Sequence, residues 1–186
     1  MELTGYLKDN EKYSDSFKGD LENFFTLKRY SKGDYLFRQG DVCRHLFYIN
    51  KGLVRIYYYS SKGKEITLWF SSEDTLITAI DSFYNHKPTR DNCEALEDLV
   101  VYSISHSQLE ALLTDKKGAQ TAFYIMYEVT RKMADLIDSI RFQSAEERYI
   151  SLLNYYPAIL QRVSLGQIAS FLGITQETLS RIRGKI

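Results

Sequence analysis

Hydrophobic and polar residues alternate with a short period in the first half of this chain. Between residues 30 and 105, β-branched and aromatic runs recur, namely YLFR, HLFYIN, LVRIYYYS, EITLWF and LVVYSIS. Turn sequences separate these runs, for example Lys32-Gly33-Asp34 and Ser61-Lys62-Gly63-Lys64. Short strands joined by tight turns predict an antiparallel β-roll or small barrel.

The period becomes helical after the predicted strands. Between Ala119 and Ile140, apolar residues recur three and four positions apart, as on the seam of a dimerising helix. These seam positions are Ala122, Met126, Val129, Met133, Leu136 and Ile140. A helix packed only on its own barrel is the alternative. Ser144-Ala-Glu-Glu147 then predicts a capping box that starts a new helix, with Gln143 as the hinge before it.

Two short amphipathic helices follow near the end of the chain. Residues 167–182 have the sequence QIASFLGITQETLSRI. Ser164 and Thr175 are the predicted N-caps, and Gly173 supplies the left-handed turn between the helices. Ala169 keeps the helix crossing narrow. This pattern is typical of a helix-turn-helix.

The polar face of the second helix carries residue types that recognise DNA bases. Gln pairs with adenine, Glu accepts from cytosine and Arg forms a fork with guanine. The predicted base-reading residues are Gln176, Glu177, Ser180 and Arg181, and the predicted phosphate contacts are Thr175, Arg183, Lys185 and Arg162. The alternative is the solvated face of an ordinary helical hairpin.

Charge and composition narrow the function classes. The 186-residue chain has no net charge, but from Arg141 onward six basic residues face three acidic ones, a net of +3 that leaves −3 for the remainder. This imbalance is compatible with phosphate binding confined to the last part of the chain. Only two cysteines, Cys43 and Cys93, are present, without a CxxC motif, and the three histidines are scattered. No metal site or cofactor is predicted.

Other sequence signals are lacking. The first residues contain no secretory or membrane-spanning apolar run, so a cytoplasmic location without membrane association is expected. The sequence also contains no GxSxG, HExxH or glycine-rich phosphate loop, so an enzyme is not expected.

The order of roll, long helix and helix-turn-helix resembles the CRP/FNR family of bacterial transcription regulators. The resemblance covers nearly the whole chain. In the roll, the positions that resemble a cyclic-nucleotide-binding domain are Gly33-Asp34, Leu36, Gly40-Asp41, Tyr48-Ile49 and Gly52-Leu53-Val54-Arg55. In the last part, Gln176, Glu177 and Arg181 match the base-contacting positions of the family, while Gly173 and Ala169 match its turn and its helix crossing.

The resemblance implies an α+β fold in three parts. Residues 1–115 are expected to form a double-stranded, jelly-roll-like sensor β-roll, and residues 116–142 the dimerisation helix. Residues 143–186 are expected to form a winged-helix-like helix-turn-helix with a minimal or missing wing, since the chain stops at Ile186. Double-stranded DNA, a second copy of the chain and RNA polymerase are the implied partners.

Departures from the family pattern concern the effector. Cyclic-nucleotide binders hold the ribose with a Gly-Glu pair and the phosphate with an Arg-Ser pair. Here Ser-Glu-Asp and Thr89-Arg90-Asp91 stand instead, so only Arg90 is a candidate anion clamp and cyclic AMP is not expected. Two cysteines also cannot hold the four-thiolate iron–sulfur cluster of oxygen-sensing members. The candidate pocket for an unknown small-molecule effector comprises Arg90, Thr89, Trp69, Phe83 and Tyr124. A purely structural roll is the alternative.

The sequence therefore predicts a transcription regulator that binds a near-palindromic operator as a homodimer. The competing hypothesis is a ligand-sensing or protein-interaction module whose helix-turn-helix does not bind DNA.

Overall fold

The computed structural model describes residues 24–114 and 116–185. Its strands are β1 (Thr26–Tyr30), β2 (Tyr35–Phe37), β3 (His45–Lys51), β4 (Val54–Tyr59), β5 (Glu65–Ser71), β6 (Leu76–Ile77), β7 (Asn92–Ala95) and β8 (Leu99–Ser105). Its helices are α1 (Ile80–Asn85), α2 (His106–Leu113), α3 (Lys116–Phe142), α4 (Ala145–Tyr155), α5 (Ile159–Arg162), α6 (Leu165–Leu172) and α7 (Gln176–Arg183).

The strands form two antiparallel four-stranded sheets, in the orders β1-β8-β3-β6 and β2-β7-β4-β5. Apolar residues of both sheets meet in one core, to which the first sheet contributes Phe47, Ile49 and Val101. The second sheet contributes Phe37 and Val54. Burying one face of each sheet stabilises the roll. The predicted α+β fold with an antiparallel β-roll is confirmed.

Gly52 makes a tight turn between β3 and β4 in which any side chain would be strained. Its φ is 109°, and a Cβ there would lie 2.9 Å from both the Asp98 carbonyl oxygen and Leu99 Cδ1. The Gly52 N–H donates to Glu73 Oε1 at 2.9 Å. The turn therefore holds the Glu73 carboxylate at this corner of the roll.

Helix α3 exposes much of its apolar stripe. Among the predicted seam residues, Met126, Met133 and Ile140 are 50%, 49% and 61% exposed, while Ala122, Val129 and Leu136 are half-buried. Because the roll of the same chain leaves these side chains in solvent, their exposure favours the dimer interpretation over packing within one chain. Among the described residues, no helix combines the length and apolarity that crossing a bilayer would require.

Helices α4 to α7 share one hydrophobic core with the roll. Ile168, Leu179 and Tyr149 are buried in this core together with Leu53 and Phe70, which belong to the outer face of the roll. The helix-turn-helix is therefore packed on the roll of its own chain.

Hydrogen bonds along strand β5 fix the position of the helical part. β5 lies at the edge of its sheet. The Ser170 hydroxyl of α6 accepts from the Thr67 backbone N–H at 2.9 Å and donates to the Glu65 carbonyl at 3.2 Å. The Tyr156 hydroxyl donates to the Phe70 carbonyl at 2.8 Å. These side chains occupy backbone groups that an edge strand would otherwise leave unpaired.

Candidate nucleic-acid interface

The turn between α6 and α7 has the predicted local structure. Gly173 ends α6 with a φ of 68° in the left-handed region. Ala169 is buried at the crossing, and Leu179 and Ile182 bury the inner face of α7. Because α7 packs through this apolar face, its other face is left to solvent.

Both helices of the motif begin at the predicted caps. The Ser164 hydroxyl accepts from the Gln167 N–H, and the Gln167 side chain accepts from the Ser164 N–H, which completes a capping box at α6. At α7, the Thr175 hydroxyl accepts from the Thr178 N–H at 3.1 Å. The other N–H groups of the first turn of α7 point out of this end of the helix, where they can donate to an anion.

The four predicted base-reading residues lie together on the solvent face of α7. Gln176, Glu177, Ser180 and Arg181 are all exposed. Arg181 Nη2 lies 2.6 Å from Glu177 Oε1, in an ion pair whose side chains are 70% and 77% exposed. This exposed pair costs little to open, since surface ion pairs contribute about 0–1 kcal/mol. The structure thus leaves the whole strip accessible, and its role in base reading stays a prediction.

Three of the predicted phosphate contacts flank this strip. Thr175 lies at the N-terminus of α7, while Arg183 and Lys185 lie at its C-terminal end, and all three are exposed. Together they border the polar face at both ends of the helix. Their placement suits contacts with the backbone on either side of a groove.

Arg162, the fourth predicted phosphate contact, lies elsewhere in the fold. Its guanidinium donates to Glu73 at 2.9 and 3.1 Å, and it also forms two hydrogen bonds with Glu97. Its side chain is 24% exposed. The structure therefore corrects this expectation, because carboxylates of the roll occupy the groups that were expected to hold a phosphate.

Hydrogen bonds within this cluster shift the pKa values of its charged groups. Burial would raise the pKa of Glu73, but hydrogen bonds from Arg162 and from backbone N–H groups, including that of Gly52, outweigh it and lower the pKa. Hydrogen bonds to Glu97 and then Glu73 raise the pKa of Arg162, against the opposing effect of burial. Arg162 therefore links the helical part to the roll as a fixed cation. The sequence contains no local signal for it.

The helix-turn-helix is also fixed to the end of α3. Arg148 donates to the Gln143 carbonyl at 2.8 Å and to the Leu172 carbonyl at the end of α6 at 3.1 Å. The Gln143 side chain accepts from Ser139 at 2.6 Å. The predicted hinge at Gln143 therefore sits within a hydrogen-bonded junction between α3 and the helix-turn-helix.

The candidate effector residues do not share one environment. Thr89 is buried in a turn, where its N–H donates to the Asp41 carbonyl at 2.8 Å. Phe83 is buried against the rings of Tyr84 and His106. Both side chains thus pack within the roll. At these two positions the packing supports a purely structural roll over an effector pocket.

The other effector candidates have different surroundings. Arg90 is 77% exposed and lies 3.5 Å from the Asp91 carboxylate, and its guanidinium stands 5.3 Å from the Tyr58 ring. Trp69 is half-buried on β5. The side chain of Tyr124 lies outside the described residues. Burial raises the pKa of Asp91, with Arg90 opposing the shift. An acidic neighbour already faces Arg90, so an anion would compete with Asp91 for it.

Comparison with known proteins connects this geometry to a family. Residues 27–116 match the family described as cyclic nucleotide-binding domain. The chain is 26% identical over 179 residues to the anaerobic regulatory protein of Bacillus subtilis (strain 168), covering 89% of this chain and 75% of that protein. It is 28% identical over 180 residues to the fumarate and nitrate reduction regulatory protein of Escherichia coli (strain K12), covering 89% and 70%.

The fold is shared with solved structures. FixK2 from Bradyrhizobium japonicum superimposes with a TM-score of 0.73 at 22% identity, covering 87% of this chain and 83% of that chain. The likeness extends well beyond the roll. In its match to the cyclic nucleotide-binding domain and in its regulatory relatives, the chain resembles the CRP/FNR family of transcription regulators, as its sequence predicts.

Proposed function

We propose that the chain binds double-stranded DNA sequence-specifically as a homodimer and regulates transcription in the cytoplasm. The observation that carries this proposal is the α7 helix, which is capped and buried on one face while Gln176, Glu177, Ser180 and Arg181 are exposed on the other. A rigid helix with a polar face of this composition fits the major groove.

The exposed stripe of α3 supports the dimer. Met126, Met133 and Ile140 are separated by seven residues each and remain about half exposed or more. A second copy of α3 would cover these side chains in a coiled-coil seam. The two α7 helices would then enter successive major grooves, with half-site centres about 34–36 Å apart on a near-palindromic operator.

The residue roles divide between sequence reading and positioning. Gln176, Glu177, Ser180 and Arg181 contact base edges, while Thr175, Arg183 and Lys185 hold phosphates. Arg162 is left out of the interface because Glu73 and Glu97 engage it. The resemblance to the CRP/FNR family further implies that the roll binds a small-molecule effector and that the protein contacts RNA polymerase.

Selection of bound sites from random duplex DNA tests the proposal. Wild-type protein is expected to enrich paired half-sites with the spacing above, with affinity that falls steeply as salt rises. Arg181→Ala should relax the preference at one base pair in each half-site. Lys185→Ala should weaken binding to all sequences and reduce the salt slope by about 1.

An exposed arginine on the roll provides the control for these variants. Arg44→Ala removes an exposed arginine of the roll and should change neither selectivity nor salt slope. The close packing of α6 on β5 favours the second candidate, a module in which the helix-turn-helix serves only as a packing unit. Absence of DNA binding even at low salt would exclude the proposal and favour that candidate.

A further inference from the structure

Gly166, the second residue of α6, has no backbone reason to be a glycine. Gly173 and four other described glycines have positive φ values, but Gly166 is not among them. It lies within a regular helix. At such a position alanine favours the helix more than glycine does. The reason for glycine must therefore be sought in the space around it.

That space is filled by the side chain of Gln176. A Cβ placed on Gly166 would lie 2.9 Å from Gln176 Nε2 and 3.6 Å from Gln176 Cδ, and no other contact within 4 Å accompanies them. The first distance is shorter than real Cβ contacts, and because Nε2 is the far end of a flexible side chain, a Cβ at Gly166 would displace the Gln176 amide. The Gln176 amide therefore lies back against the first turn of α6 and uses the place where another residue would have its side chain.

Gln176 is also the first residue of α7 and belongs to the exposed polar strip. A long side chain at the start of a recognition helix has several rotamers, and only some of them present the amide to a base edge. Because Gly166 has no Cβ, the Gln176 rotamers that lean toward α6 remain available, whereas a larger residue at this position would exclude them. The two helices of the motif thus meet at the tip of a base-reading side chain.

We propose that Gly166 is a positioning residue for Gln176 and thereby determines specificity at one base pair of each half-site. The inference rests on the proposed DNA-binding function and extends it. Gly166 itself makes no base contact in this proposal. It leaves open the conformation from which the Gln176 amide reads its base.

A double-mutant cycle in DNA binding tests the proposal. Site selection and affinity are measured for wild type, Gly166→Ala, Gln176→Ala and the double variant, and thermal unfolding verifies that each is folded. Gly166→Ala should reduce the preference at the Gln176 base pair by about fivefold or more, the lower end of one good base contact. Preferences at the Arg181 base pair should not change. In the Gln176→Ala background, the same substitution should have no further effect.

Three outcomes of the DNA-binding measurements would overturn the proposal. If Gly166→Ala reduces the base preference equally with and without Gln176, the added methyl group contacts the DNA directly. If the preference is unchanged, the contact between Gly166 and Gln176 has no role in base recognition. If wild type selects no sequence, the proposed function fails, and the positioning role falls with it.

A measurement on the free protein separates these failures. Nuclear Overhauser contacts between the Gly166 α-protons and the Gln176 side-chain amide are expected in wild type, and the Gln176 amide resonances should shift in Gly166→Ala. The side-chain amide of Gln143, whose oxygen accepts from Ser139, is the matched control and should not shift. Absence of the Gly166 contact would refute the geometry whatever the DNA result.

Discussion

Replacing Arg162 with methionine tests whether an ion-pair cluster holds the helix-turn-helix on the roll. Methionine keeps an unbranched side chain of comparable length but has no charge and no N–H donors. Two carboxylates, Glu73 and Glu97, would then lie near each other without their shared cation. The roll and the helical part are expected to remain folded but to be held together less strongly.

The expected loss follows from the geometry and exposure of the cluster. One unit-charge pair at the observed 2.9 Å attracts by about 6 kcal/mol at an effective dielectric of about 20. Desolvation opposes this attraction, and solvent screens it, since Arg162, Glu73 and Glu97 are 24%, 39% and 35% exposed. We therefore expect a net loss of about 1–2 kcal/mol in the free energy of unfolding, above the 0–1 kcal/mol of a fully exposed pair.

Urea unfolding followed by tryptophan fluorescence measures this loss. Trp69 is the single tryptophan and precedes Phe70, whose ring lies 5.4 Å from that of Phe171 in α6. Its emission should therefore respond when the helical part separates from the roll. The control is Arg183→Met, which removes an exposed charge from the same helical part. A loss for Arg162→Met no larger than that of the control would refute the assignment of a stabilising link.

Three further substitutions test other parts of the structure. Glu73→Gln should destabilise the protein at neutral pH. Because the pKa of Glu73 is lowered in the folded protein, the difference in stability between the variant and wild type should disappear as the pH falls below the usual glutamate pKa of about 4.3. A difference that grows in acid would contradict this expectation. Met133→Glu places a charge in the exposed α3 seam, so sedimentation should show monomers, whereas an unchanged dimer would move the interface elsewhere. Gly52→Ala should destabilise the roll by about 2 kcal/mol or more, because its positive φ and the carbonyl of Asp98 both oppose a Cβ; wild-type stability in thermal unfolding would contradict that packing.

The helix-turn-helix was the part of the structure most open to prediction from sequence. Ser164, Gly173 and Thr175 each have hydrogen-bond partners only three or four residues away in the chain. Such interactions depend on local residue order, so a cap or a left-handed glycine is visible before folding. The strand pattern of the roll was equally visible, since alternation and turn residues are local too.

The exposed strip on α7 was also predictable as a set of residues. Helical periodicity alone places Gln176, Glu177, Ser180 and Arg181 on one face. The sequence could not show that this face stays uncovered. That depended on which side of the motif would pack against the roll.

Contacts between distant parts of the chain account for what sequence analysis missed. Arg162 meets Glu73 across 89 residues, and Ser170 meets Thr67 across 103 residues. A lone arginine in a basic segment predicts a phosphate contact, and only the folded chain shows that Arg162 pairs with carboxylates of the roll.

Local hydrogen bonding and hydrophobic periodicity thus determined from the sequence which segments form strands, which form helices and where the motif turns. The tertiary structure alone decided which charged groups are neutralised and which remain in solvent. The physical reason is that charges separated by many residues interact only once packing has brought them together, and burial then changes the strength of that interaction.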